Sequence, residues 1–310
     1  MNTIRVIAFR DGSDRRHLGV VDDRNRVHDL GLDELANWIG RTRLTGVPVT
    51  RALADDLARR QADGSLPPPM LLDEEAAAVV GDHVRMALDV PVQAPEVWAA
   101  GVTYRRSREA RQAESAVTTR DYYARVYEAD RPELFLKDAA GRRTSPSGGA
   151  IRARSDSHWT VPEPELGLVL DAAGLIVGYT VVNDVSARDI EGENPLYLPQ
   201  AKVYRGSCAI GPAVLLSDAP MAAFAIRLGI FDQAGGVVFE GRTSTGELVR
   251  SLESLSAALL FDNVIDDGTV LSTGTGIVPP DGFTLRPGHR VACEIDGIGT
   301  LWNVVAGDPS

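Results

Sequence analysis

Residues 161–206 read VPEPELGLVLDAAGLIVGYTVVNDVSARDIEGENPLYLPQAKVYRG, and this stretch decides how the rest of the chain is read. Two apolar runs, LGLVL at 166–170 and LIVGYTVVND at 175–184, flank the turn signal DAAG at 171–174, which predicts a β-hairpin. Glu163 and Glu165 stand two apart, and an extended chain sends such side chains to the same face. Pro162 and Pro164 lack an N–H donor, so they belong at a sheet edge or at the first residues of a strand. With DAAG as a four-residue turn, Asp171 faces Gly174, Glu163 faces Val182, Glu165 faces Thr180 and Asp184 faces Val161. Cross-strand partners share a face, so Asp184 joins the two glutamates, diagonal to Glu163 at about 7–8 Å between backbones. A β-bulge would alter this register.

Three carboxylates on one face repel one another unless their pKa values rise or a cation sits between them. The Glu-x-Glu pair alone also reads as a solvated strand face; Asp184, brought alongside by the hairpin, makes Glu163, Glu165 and Asp184 a candidate metal site. All-oxygen ligands favour a hard cation, Mg2+ first, with Mn2+ or Ca2+ as alternatives.

The 310 residues are 44% hydrophobic and 24% charged, enough for one large domain or two smaller ones with a real core. No apolar run reaches the ~18 residues of a membrane-spanning helix, and the apolar patch in MNTIRVIAFRDG is too short for a secretory signal. The expected compartment is the cytoplasm. Lys and Arg number 32 against 43 Asp and Glu, a net charge of −11. Such a surface repels phosphate backbones and anionic lipid, so neither nucleic acid nor membrane is expected as a partner. Cys208 and Cys293 form no Cys-x-x-Cys or Cys/His cluster, which sets aside zinc-finger and disulfide-scaffold readings in favour of buried thiols.

Along the chain, TIRVIAF (3–9) and LGVV (18–21) predict strands, while 32–39 and 50–62 predict helices. PPPMLLDEE at 67–75 reads as a connector, which places a small N-terminal α/β domain at 1–90 and a second domain at 91–310. Residues 105–129 carry good helix formers with an apolar stripe at Tyr123, Val126 and Tyr127. From Glu133 onward the pattern turns to short strands: LFLK, IRARS, the hairpin above, AIRLGIFD, VVFEGR and the final pair in RVACEIDGIGTLWNVV, with one helix near 249–261. The expected class is α+β, mostly β. Without a βαβ alternation, Rossmann and TIM architectures are excluded. The GTG at 274–276 lacks the strand–helix context of a dinucleotide fingerprint.

The Glu-x-Glu, the hairpin and GYTVVNDVSARDIE together resemble the fumarylacetoacetate hydrolase family over roughly residues 95–305. The resemblance implies a mixed β-sandwich roll, usually in a homodimer, and a metal held at Glu163, Glu165 and Asp184. It further implies that Lys202 in LPQAK is the lysine that follows the metal aspartate. By the same resemblance, Thr275 in STGTGIVPP binds a substrate carboxylate. RPELFLK, PEPELGLVL and EGENPLYLPQAKVY resemble the 2-keto-3-deoxy-arabinonate dehydratase-like branch of that family. Several hydrolase and decarboxylase members carry a His–Glu dyad on a helix after an Asn-Tyr pair. Here TYRRSREARQAE places Ser107 and Ala110 at those two positions.

The expected activity is a metal-dependent dehydration of a 2-keto-3-deoxy sugar acid. In it, a chelated 2-keto acid loses a C3 proton to give a metal-stabilised enolate, and the C4 hydroxyl leaves as water. Hydrolysis of a C–C bond in a 2,4-diketo acid is the alternative, and a catalytically silent keto-acid-binding protein is a second one. Lys202 is a candidate for proton transfer or for neutralising the enolate. Glu133 is the preferred base, with Glu109 and Glu114 as further acid/base candidates. Arg108, beside Arg105 and Arg106, is placed to recruit an anionic substrate, and Gln200 and Tyr204 to line the pocket. Arg188 and Asp189 are read as a structural ion pair behind the metal.

Overall fold

The computed structural model describes residues 3–81, 84–105 and 125–307. Three sheets account for the strands described. The largest has thirteen strands, and its middle runs Thr3–Arg10, Cys208–Ser217, Ile176–Asp184, Pro164–Leu170, Thr269–Ser272, Glu96–Gly101, Glu133–Ala139. On the other side of Thr3–Arg10, the strands Arg85–Asp89, Ala78–Val80, Met70–Asp73, Arg26–Gly31 and Arg16–Val21 follow in turn. Arg16–Val21 then pairs back onto Thr3–Arg10, so the six N-terminal strands close on themselves. A five-stranded sheet, Ala150–Arg152, Gly299–Ala306, Arg290–Ile295, Ala225–Phe231, Val237–Ser244, stacks on the main one. The mostly β architecture expected from the strand-rich second half is the one observed.

Alternation within the hairpin sorts its side chains to two faces. Leu166, Leu168 and Leu170 point into a core shared with Ile226, Leu228, Ile230, Val291 and Leu301 of the five-stranded sheet. Val169 and Val182 belong to the opposite face, where Leu35, Ile39, Val49 and Leu53 of the helices Leu35–Thr45 and Val49–Asp63 cover them. Both faces of the central strands are thus buried, which explains their nearly unbroken apolar runs.

Two departures from the sequence expectation have local causes. Met70–Asp73, within the expected connector, is a strand paired with Arg26–Gly31 and Ala78–Val80; three prolines precede it and none falls inside it. Cys208–Ser217 is a fully buried ten-residue strand that Gly211 and Pro212 disguise as a turn. The register against Ile176–Asp184 jumps from Thr180↔Val214 to Val181↔Gly211, so Pro212 sits in a bulge where no ladder N–H is required of it. Of the helix expected at 105–129, residues 106–124 lie outside the described residues, and 125–128 are helical.

Candidate active site

The hairpin closes differently from the four-residue turn expected. Asp171 N–H donates to Leu175 O at 3.0 Å and Gly174 N–H to Asp171 O at 2.9 Å, and the register slips again between Val169 and Leu170. Glu165 therefore faces Val182, and Asp184 N–H donates to Glu163 O at 2.9 Å, directly across the ladder rather than diagonal to it. The correction is two residues. A slip of two preserves the face, so the three carboxylates still converge. Pro164 opens a strand paired on both sides, so it lies at a strand's first residue and not on a sheet edge.

One oxygen from each of Glu163, Glu165 and Asp184 lies within 4.8 Å of the others, and all three side chains are buried. Positive charge is arranged around them. Lys202 Nζ, at the end of the short helix Leu198–Lys202, donates to Glu163 Oε2 (2.6 Å), Asp184 Oδ2 (2.9 Å) and Ser186 Oγ (2.6 Å). Arg188 Nη2 donates to Glu163 Oε1 at 2.7 Å. Lys137 Nζ contacts Asp184 Oδ1 from the far side. Glu165 takes no lysine; Ser272 Oγ (2.5 Å) and Gly274 N–H (2.7 Å) donate to its Oε2. Burial, followed by repulsion from Asp184 and Glu163, pushes the Glu165 carboxyl up to about 8. A carboxyl so raised is a place where a divalent cation is strongly favoured over a proton-free, cation-free state.

The trio opens on a void of about 20 Å³, room for one small ion or water. Glu133, Phe135, Arg188, Glu191, Lys202, Gly274 and Thr275 line it together with the trio. Two glycines shape the approach. Gly274 has φ +87°, and a Cβ there would lie 2.1 Å from Thr103 Oγ1 and 2.9 Å from Ala100 O, so only glycine lets this loop carry its N–H to Glu165. At Gly101 a Cβ would meet Glu133 Oε2 at 2.0 Å; the missing side chain is the space the Glu133 carboxylate occupies. Buried, oxygen-only and close-set, the trio fits a hard divalent cation.

The sequence-derived candidates separate clearly. Glu163, Glu165, Asp184, Lys202, Glu133 and Thr275 come together around the void. Gln200 is exposed on the outer side of its helix, where its carbonyl accepts from Arg154 Nη1 at 2.8 Å. Tyr204 turns away to donate to Arg152 O at 3.2 Å, with Arg154 over its ring at 5.9 Å. Neither is among the lining residues. Glu114, Glu109 and Arg108 fall outside the described residues. Arg188 and Asp189 do not pair as expected: Arg188 turns inward to Glu163, while Asp189 accepts from Ser157 Oγ (2.6 Å) and His158 N–H (2.9 Å). One helical step of about 100° sends consecutive side chains to different sides, which is the reason.

Sequence reasoning passed over Lys137 and Glu191. Glu191 lies three residues after Arg188 on the helix Arg188–Glu193, the spacing that puts both on one face. Lys137 follows the apolar residues Leu134, Phe135 and Leu136, yet it and Asp138 are the buried members of their strand, an inversion that composition does not announce.

Comparisons with known proteins bear on this geometry. A family model described as "Fumarylacetoacetate (FAA) hydrolase C-terminal" matches residues 96–306. The chain is 47% identical over 235 residues to a "Probable 2-keto-3-deoxyxylonate dehydratase" of Haloferax volcanii, covering 76% of this chain and 80% of that protein. It is 45% identical over 214 residues to a "2-dehydro-3-deoxy-D-arabinonate dehydratase" of Saccharolobus solfataricus, covering 68% and 72%. Among solved structures, "2-keto-3-deoxy-D-arabinonate dehydratase complexed with magnesium and 2,5-dioxopentanoate" superposes with a TM-score of 0.80 at 32% identity, over 99% of this chain and 100% of that one.

Proposed function

The chain belongs to the fumarylacetoacetate hydrolase family, and from that membership we propose that it is a Mg2+-dependent hydro-lyase that dehydrates a 2-keto-3-deoxy sugar acid. The observation that carries this reading is the convergence of three buried carboxylates, ligand oxygens within 4.8 Å, in a chain this similar to sugar-acid dehydratases. Glu163, Glu165 and Asp184 would hold the ion, with Mn2+ or Ca2+ as possible substitutes. When bound, the ion supplies Lewis-acid polarisation of a chelating keto acid, which acidifies its C3 protons.

The chain's own residues do the rest. Glu133 offers a lining carboxylate outside the ligand trio to take the C3 proton. Lys202 holds its protons at Nζ beside the trio and balances negative charge as it develops on the substrate. Thr275, 5% exposed and on the lining, receives the substrate carboxylate. Phe135 sets its ring centroid 5.6 Å from Lys202 Nζ, within cation–π reach of the ammonium. The hydrolytic alternative finds Ser107 and Ala110 where its His–Glu dyad would stand.

We further propose a cytoplasmic homodimer divided into a small N-terminal part at 1–90 and a catalytic part at 91–310. Among the described residues no helix is long and apolar enough to cross a membrane. The family match beginning at residue 96 supports the division. The exposed edge strand Val237–Ser244, with Val237 59% and Val238 43% accessible, offers surface for a second copy.

The test is product analysis. Purified protein with Mg2+ is given a 2-keto-3-deoxy pentonate and, separately, an acylpyruvate. Loss of one water from the first is the expected result. Two acid fragments from the second would establish hydrolysis instead, and binding of both without turnover would establish a silent binding protein.

A further inference from the structure

We propose that Lys137 is a positioning residue for the cation site: it fixes Asp184 and the backbone that carries Lys202, and so presets the place where a divalent ion is held. The inference rests on the reading that the carboxylate trio takes such an ion.

The backbone aims Lys137 at the site. In the ladder between Glu96–Gly101 and Glu133–Ala139, Val97 faces Asp138 but Trp98 faces Leu136, so Lys137 is the extra residue of a bulge. Bulges re-aim side chains that strict alternation would send elsewhere. Here Lys137 and Asp138 are consecutive and both fully buried, while Leu136 before them is 37% exposed.

An ammonium at zero exposure is tolerated only when its donors are satisfied. Lysine has three. Lys137 Nζ donates to Val185 O at 3.0 Å and Lys202 O at 2.5 Å, and its third contact is Asp184 Oδ1. Two hydrogen bonds and an ion pair hold the ammonium away from the void, whose lining does not include Lys137. It acts through the groups it holds.

Those groups are the informative ones. Asp184 divides its oxygens between two lysines, Oδ1 to Lys137 and Oδ2 to Lys202, so its carboxylate plane cannot turn. Each oxygen keeps a second lone pair for an ion. Lys202 O is the last carbonyl of the helix Leu198–Lys202, an orphan acceptor that a cation at a helix C-terminus satisfies. Glu133–Ala139 lies four places from Ile176–Asp184 in the strand order, so one side chain joins two strands that share no ladder.

The experiment measures Mg2+ and Mn2+ binding by titration calorimetry on chelator-treated protein, wild-type against Lys137→Met. Removal of a group that orients a metal ligand typically weakens affinity by roughly 10–100-fold, and that is the expected loss. The accompanying kinetic signature is a raised Mg2+ activation constant, with KM for the keto acid at saturating Mg2+ nearly unchanged. A role confined to fold stability lowers the melting temperature but leaves metal Kd alone. A metal Kd in folded K137M within about fivefold of wild-type, below that range, overturns the proposal. If K137M does not fold, Lys137→Gln, which keeps a donor for the two carbonyls but not the charge beside Asp184, is held to the same threshold. Wild-type protein that takes up no Mg2+ or Mn2+ would overturn the functional reading as well, which separates the two failures.

Discussion

The same face of the same hairpin has two ends. At one, Val169 packs in a cluster with Leu35, Ile39, Val49 and Leu53 of the N-terminal helices. At the other, Glu163, Glu165 and Asp184 meet Lys202, Lys137 and Arg188. The apolar end tolerates approximate geometry, because burial energy depends on area and not on direction. The ionic end has no such latitude. Each charge there is out of water, and each is held by named hydrogen bonds at 2.5–3.0 Å or by a contact with its opposite. A sheet face can thus be a core at one end and a reaction site at the other, provided that the second end satisfies every charge it buries.

The largest break in this comparison is expected from Asp184→Asn. Removing one of three ligand charges should lower kcat/KM by roughly three orders of magnitude, the several kcal/mol that Lewis-acid polarisation supplies. Product formation at saturating Mg2+ checks it, with calorimetry showing the lost ion binding. Next in size is Arg188→Met, which leaves Glu163 short of one partner; breaking a buried pair in this way costs about 3–5 kcal/mol in urea unfolding. Saturating Mg2+ should restore part of that loss, because the ion replaces the missing positive charge. Leu53→Ala at the apolar end should cost about 3 kcal/mol through the cavity it leaves. Its deficit should be the same with and without Mg2+, and its metal Kd should match wild-type. If Mg2+ rescued L53A as well as R188M, the two ends would not be independent.

The trio was legible because period-two arithmetic survives a slip of two residues: the expected partner of Glu163 was Val182 and the observed one is Asp184, on the same face. What escaped reading depends on departures from period. Lys137 reaches the site through a bulge, and a bulge leaves no mark in a run such as LFLK. Gln200 and Lys202 sit two apart in LPQAK, and a short helix sends one outward and the other inward, where an extended reading would have kept them together. The Gly-Pro pair in Cys208–Ser217 hid a central strand for the same reason, since the bulge that absorbs Pro212 lies in that strand and shows only in its register against Ile176–Asp184, not in the local sequence.

Thr3–Arg10 is bonded to Arg16–Val21, to Arg85–Asp89 and also to Cys208–Ser217, where Thr3 faces Ser217. During synthesis the first two partners emerge within the first ninety residues, but the third follows more than a hundred residues later. A nascent chain can therefore close its N-terminal ring early while one flank of its first strand stays open to solvent. Until residue 217 leaves the ribosome, that flank is an adhesive edge. Slow translation between residues 90 and 217 would prolong this exposure, and an extension fused ahead of residue 3 would sit beside the seam that closes last.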